Sequence, residues 1–164
     1  MKPTRLVLSC AALGVAGLLG AAAQTPAGGQ QPAGGAQARP QPLTKPKLVS
    51  HEIVAGCTKA GSFANTPDYT VTCSHRTGPG VVEIHGKETD VIYVLEGAAT
   101  FVTGGTAQNV KADDPLQPRG TDIQGGEPHH LVKGDVIVVP AGQPHWFKEV
   151  PASVSYFVVK VLKP

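Results

Sequence analysis

The stretch VVEIHGKETDVIYVLEG, residues 81–97, sets three side chains of metal-ligand type among apolar, β-branched neighbours. Glu83 and His85 stand two apart in a run that reads as a strand, so period-2 alternation puts both on one face. The turn GKET follows, and Asp90 opens the next run. Two adjacent antiparallel strands would aim these three side chains at one point. A second stretch, GDVIVVPAGQPHWF, residues 134–147, repeats the plan of strand, turn, strand. Its turn, Pro140-Ala141-Gly142, leads into His145. The two stretches are far apart in the chain, so only a closed or rolled-up β fold would carry His145 to the same point.

The sequence around them is consistent with such a fold. Short β-type runs are expected at 48–54, 69–74, 81–85, 91–95, 99–103, 130–132, 136–139, 145–150 and 153–162. Gly and Pro punctuate them, as in Gly78-Pro79-Gly80, Glu96-Gly97, Gly104-Gly105 and Lys133-Gly134. Many short strands with frequent turn signals indicate an all-β sandwich or barrel. No segment sustains a 3.6-residue apolar period. Residues 106–128 are polar and contain Pro and Gly, and they read as a long loop serving as a lid or rim.

The two stretches resemble the paired motifs of the cupin superfamily. Glu83-x-His85, four residues, Asp90, six residues and Gly97 stand where the first cupin motif has His-x-His, Glu and Gly. Gly134, five residues, Pro140-Ala141-Gly142, two residues and His145 follow the second motif closely, with Glu149 where Asn is usual. The resemblance implies a β jelly roll with one divalent metal ion inside it. It also implies a ligand set of Glu83, His85, Asp90 and His145, with Glu83, His85 and His145 at the chemistry. Glu83 in place of His exchanges nitrogen for oxygen. Asp90 in place of Glu shortens the arm by one methylene, which leaves direct ligation or ligation through water open. Three ligands would form a two-His, one-carboxylate set, the kind used at open, reactive metal centres. A cupin that has lost its metal and kept the fold is the other reading.

The N-terminus bears on which metal. Lys2 and Arg5 precede an apolar run that ends in Ala21-Ala22-Ala23. That pattern reads as a secretory signal peptide over residues 1–23, with Cys10 discarded, rather than a membrane anchor. Residues 24–47 are rich in Gln, Pro, Ala and Gly, and are expected to be a disordered tether. A single cupin domain would occupy 48–164. The 164-residue chain has 14 Lys and Arg against 12 Asp and Glu. Without Lys2 and Arg5 the charges balance, and no basic patch stands out, which argues against nucleic acid as a partner. Cys57 and Cys73 remain after cleavage, which in an exported protein points to one disulfide, with two buried thiols as the alternative. Export, to the periplasm or the medium, would favour copper by the affinity order; iron, manganese and zinc remain possible.

The other candidates are weaker. His129 and His130 should face opposite sides of a strand, and His51 and His75 read as structural or exposed, with His75 a reserve ligand. Trp146 and Phe147 read as packing residues, and Arg119 as a solvated charge. The expected function is a secreted metal-dependent oxidoreductase, with cellulose or another extracellular polysaccharide as a candidate substrate. An aromatic content of 5%, with one Trp, offers no obvious platform for a crystalline polymer. The alternatives are a non-redox metal cupin (isomerase-like, or a binding module for sugar or another small ligand) and an iron or manganese dioxygenase or oxidase. The expected partners are an extracellular carbohydrate or small molecule and a second copy of the chain as a homodimer. No stable membrane insertion is expected after cleavage.

Overall fold

The computed structural model describes residues 40–163. The expected signal peptide and most of the tether lie outside the described residues. Residues 40–47 are exposed and without regular structure.

The strands are β1 (Gly61–Asn65), β2 (Tyr69–Arg76), β3 (Val82–Glu83), β4 (Glu88–Thr103), β5 (Thr106–Gln108), β6 (Arg119–Gly120), β7 (Asp122–Gln124), β8 (Glu127–Val132), β9 (Val136–Val139), β10 (His145–Glu149) and β11 (Val154–Leu162). Strand β4 organises them. Its first half pairs with β11 on one edge and β9 on the other, and β11 continues to β2 and β1. Its second half pairs with β8 and β10, and β10 continues to β3 and β6. All of these pairings are antiparallel. The result is two sheets folded on one shared strand, an all-β jelly roll.

The runs expected at 91–95 and 99–103 are thus one strand. Glu96-Gly97 reads as a turn in sequence, but here it is the bend at which β4 passes from one sheet to the other. Gly97 has φ +82, and a Cβ there would lie 2.0 Å from the Ser153 carbonyl oxygen. Only glycine permits both the left-handed backbone and that approach.

The core lies between the sheets. Ile92 and Val94 from the first half of β4 meet Ala99 and Phe101 from the second half, with Phe147, Val154 and Tyr156 across from them. The Phe101 and Phe147 rings meet edge to face with centroids 4.6 Å apart, and Phe147 stacks on Tyr156 at 4.8 Å. Phe101 is fully buried, so replacing it with Ala is expected to cost about 3–5 kcal/mol.

The strand expected at 48–54 is instead a short helix, α1 (His51–Ala55). Leu48 is 88% exposed and the segment has no strand partner, so its β-branched residues have no pleated surface to pack on. Strand β1 was not legible, because its Gly, Ser and Asn look like turn residues. The segment 106–128 is more than a loop: β5 pairs with β7, and β6 pairs with β3. Cys57, just beyond α1, forms a disulfide with Cys73 of β2, their Cα atoms 5.9 Å apart. Among the described residues, no helix is long and apolar enough to cross a membrane.

Candidate metal centre

His145 opens β10 and is paired across the ladder with Glu83 on one side and Thr103 on the other. His85 lies just past β3, not within the strand expected at 81–85. The chain leaves the ladder there because its neighbours bond elsewhere. The Ile84 N–H donates to Pro118 O at 3.1 Å, and the Gly86 N–H to Leu116 O at 2.8 Å. The His85 carbonyl accepts from the Gly142 N–H at 2.8 Å. The turn of the second motif is therefore hydrogen-bonded directly to the first. Gly142, at φ +84, is held in a left-handed backbone to do this.

Glu83, His85 and His145 each bring one ligand atom to a point, all within 4.8 Å of one another. The imidazole centroids are 5.0 Å apart. Both histidines are buried, at 7% and 4% exposure. Each ring is fixed by its far nitrogen. His145 Nδ1 lies 3.1 Å from the Gln143 carbonyl oxygen, and His85 Nδ1 bonds the Gln117 side-chain oxygen. The backbone carbonyl can only accept, so Nδ1 carries the proton in His145; in His85 the Gln117 oxygen and the Glu88 carboxylate beside the same nitrogen favour the same tautomer. Nε2 is then left with a free lone pair directed into the cluster, as metal ligation by histidine requires. Burial pushes the His145 pKa below its ordinary value and favours that neutral form.

Asp90 lies beside both imidazoles, with its carboxylate also paired to a lysine. Its Oδ2 is 3.5 Å from His85 Nε2 and 3.7 Å from His145 Nε2. However, Lys160 Nζ donates to both carboxylate oxygens, at 2.9 and 3.0 Å. The same ammonium is 3.1 Å from Glu88. His85, Glu88 and Asp90 form a second cluster of metal-ligand type, but a cation already stands between its two carboxylates. Two imidazole nitrogens and the Glu83 carboxylate form one donor set that could hold a metal, and Lys160 holds Asp90 against them.

The cluster opens into a bore of about 190 Å³ between the sheets. Alternation selects its walls. Thr72, Ser74 and Arg76 face it from β2, and Tyr156, Val158 and Lys160 from β11. A wider cleft of about 550 Å³ lies against residues 109–121 and touches the cluster through Gln117 and Arg119. Arg119 is exposed and approaches Glu83 at 3.8 Å.

The remaining sequence candidates lie elsewhere. His75 bonds Ser155 at 2.8 Å and His129 bonds Thr103 at 2.9 Å, while His51 and His130 are exposed. The Trp146 indole donates to Gly80 O at 2.8 Å and so holds a loop. Sequence reasoning missed Gln117, Glu88, Lys160 and Arg76. Lys160 was accessible to it in principle, since it shares the inward parity of Tyr156 and Val158 on β11.

A cupin family model matches residues 72–164. The chain belongs to the cupin family. Among solved structures it is similar to BH2720 from Bacillus halodurans, at 15% identity and TM-score 0.54, covering 74% of this chain and 84% of that one. At that identity the likeness is one of fold. A conserved protein with a double-stranded β-helix domain from Klebsiella pneumoniae gives 18% identity and TM-score 0.49, covering 72% of this chain and 91% of that one. The DMSP lyase DddQ from Ruegeria pomeroyi gives 16% and 0.43, covering 62% and 43%. A search of curated proteins found no match. Cupins commonly hold a metal, and the Glu83, His85 and His145 cluster of this cupin could hold one.

Proposed function

We propose that this cupin is a metal-dependent oxidoreductase in which Glu83, His85 and His145 hold one divalent ion at the mouth of the bore. The observation that carries the reading is the convergence of two buried imidazoles and a carboxylate, one ligand atom of each within 4.8 Å of the others, with both Nδ1 atoms hydrogen-bonded elsewhere. A redox-active ion bound there would supply electron exchange with oxygen or peroxide, and a non-redox ion would supply Lewis acidity. The protein residues supply the rest. Gln117 and the Gln143 carbonyl orient the rings, Asp90 and Lys160 form a neutral floor, and the aromatic core behind Phe101 excludes water.

Copper is the first ion to test, because two nitrogen donors and one oxygen donor suit it and the exported setting favours it. Iron and manganese suit the same set, and zinc is the non-redox alternative. The Cys57–Cys73 disulfide supports export to an oxidising compartment. The bore limits the substrate. At about 190 Å³ it is smaller than the ~300–1,000 Å³ usual for small-molecule sites. A polysaccharide could present only a chain end to it, so a small substrate is favoured over crystalline cellulose.

The test is elemental analysis of the purified exported protein, followed by reduction with ascorbate and measurement of oxygen and peroxide consumption. Metal at one ion per chain, lost in the His85→Ala/His145→Ala double variant, is the expected result. Unchanged stoichiometry in that variant would rule out the site. Zinc with no redox turnover would replace the oxidoreductase with an isomerase-like or ligand-binding cupin.

A further inference from the structure

The charges lining the bore point to the class of molecule it admits. Two acids, Glu83 and Asp90, face two bases, Arg76 and Lys160. Lys160 is spent on Asp90, with both carboxylate oxygens engaged. Glu83 belongs to the cluster that fits a cation. Arg76 is different: among the described residues it meets no carboxylate.

Arg76 is nevertheless fixed in place. Its Nε donates to the Tyr156 hydroxyl at 3.0 Å. Its guanidinium carbon lies 5.0 Å from the centroid of the Phe147 ring, over its face. Gly80 leaves the space beside it, because a Cβ at that position would lie 2.9 Å from one terminal nitrogen. One edge of the fork is thus bonded and one face is stacked. The terminal nitrogens lie beside Gly80 with no carboxylate partner among the described residues, and Arg76 lines the bore. A guanidinium with two free donors matches a carboxylate bidentately, and holding it rigid in advance lowers the entropy cost of binding. The Thr72 and Ser74 hydroxyls on the same wall suit further oxygen atoms of a ligand. A divalent ion on Glu83 and the histidines would leave the bore with excess positive charge, which an anion would neutralise.

We infer that the bore takes a small organic carboxylate, anchored by Arg76. This deepens the reading of the site as a metal centre by naming its substrate class. A neutral sugar would leave a partly buried guanidinium without an anion.

The experiment compares acids with their uncharged amides on the metal-loaded protein by titration calorimetry. Lactate against lactamide and pyruvate against pyruvamide are suitable pairs, with glucose as the neutral polyol and metal content measured on every sample. Wild type is expected to bind at least one acid more tightly than its amide by about tenfold or more. Arg76→Gln should abolish that preference while retaining its metal. If the glutamine variant does not fold, wild type and Arg76→Lys decide the matter. The lysine keeps the charge but loses the fork, so the preference should persist and weaken. No preference in wild type, or a preference that neither variant changes, would overturn the inference. An Arg76-dependent preference in protein that holds no metal would uphold the anion site and reject the metal reading. Metal without preference would do the reverse.

Discussion

Lys160 is bonded to both oxygens of Asp90, a carboxylate that is only 4% exposed and lies against both candidate ligand imidazoles. The lysine has the position and charge that a cation would need in order to recruit Asp90. In the proposed metal site it would keep Asp90 from ligating. Lys160→Met is expected to destabilise the metal-free protein by about 3 kcal/mol, because a buried carboxylate loses its partner. Metal should recover most of that loss, since Asp90 is then free to ligate. Thermal unfolding with and without metal checks this. An equal metal-induced rise in Tm for variant and wild type would show that Asp90 is not held in reserve.

Gln117 supports the site from the long segment that follows β5. Its side chain bonds His85 Nδ1 and so orients the ring. Gln117→Leu should lower metal affinity about 10- to 100-fold while leaving the β fold unchanged. Competition against a calibrated chelator, with circular dichroism as the control, measures both.

Burial of His145 has a consequence for pH. Its pKa is lowered in the folded protein, so on acidification the unfolded chain takes up this proton first, near the ordinary value of about 6.5. Stability rises with pH wherever the unfolded state binds more protons. The metal-free protein should therefore lose stability as pH falls from about 6.5 toward the lowered folded value, and lose no more from this residue below it. Urea unfolding at several pH values, in wild type and His145→Gln, should show that component only in wild type.

The Cys57–Cys73 disulfide spans 16 positions. In the chain-entropy model a loop of that size is worth about 3 kcal/mol. Replacing both cysteines with Ser should cost that order of stability and leave metal stoichiometry unchanged, because the bond lies on the outer side of β2, away from Ser74 and Arg76. Denaturant unfolding and elemental analysis of the double variant test both statements.

Much of the site's outline was legible in the sequence. The motif spacing grouped Glu83, His85 and His145, and the structure brings them together, although His85 arrives from beyond the end of β3 and not by alternation along a strand. The jelly roll followed from the turn signals and the two motifs. The supporting parts were not legible, because they depend on register and return paths. Asp90 carries the right chemistry, but its role turns on Lys160, which is 70 positions away and brought opposite by the pairing of β4 with β11. Gln117 could not be singled out in a polar stretch whose fold back onto Ile84 and Gly86 is made by backbone bonds. Arg76 fell two residues beyond the strand expected at 69–74, whereas β2 runs on to include it. The helix at His51–Ala55 was hidden by β-branched residues that have no sheet to join.

The two imidazoles are not gripped equally. His145 is steadied by a backbone carbonyl two residues before it, inside the turn that leads to its own strand. His85 leans on a side chain 32 residues away, carried by a stretch between β5 and β6 that is largely exposed. One hand of the clasp belongs to the barrel and the other to its strap. Clipping the strap with a protease, within residues 109–116, should loosen His85 while the sheets and His145 stay in place. The ion would then escape from a barrel that is still closed, and faster metal loss with an unaltered β spectrum would be the sign of it.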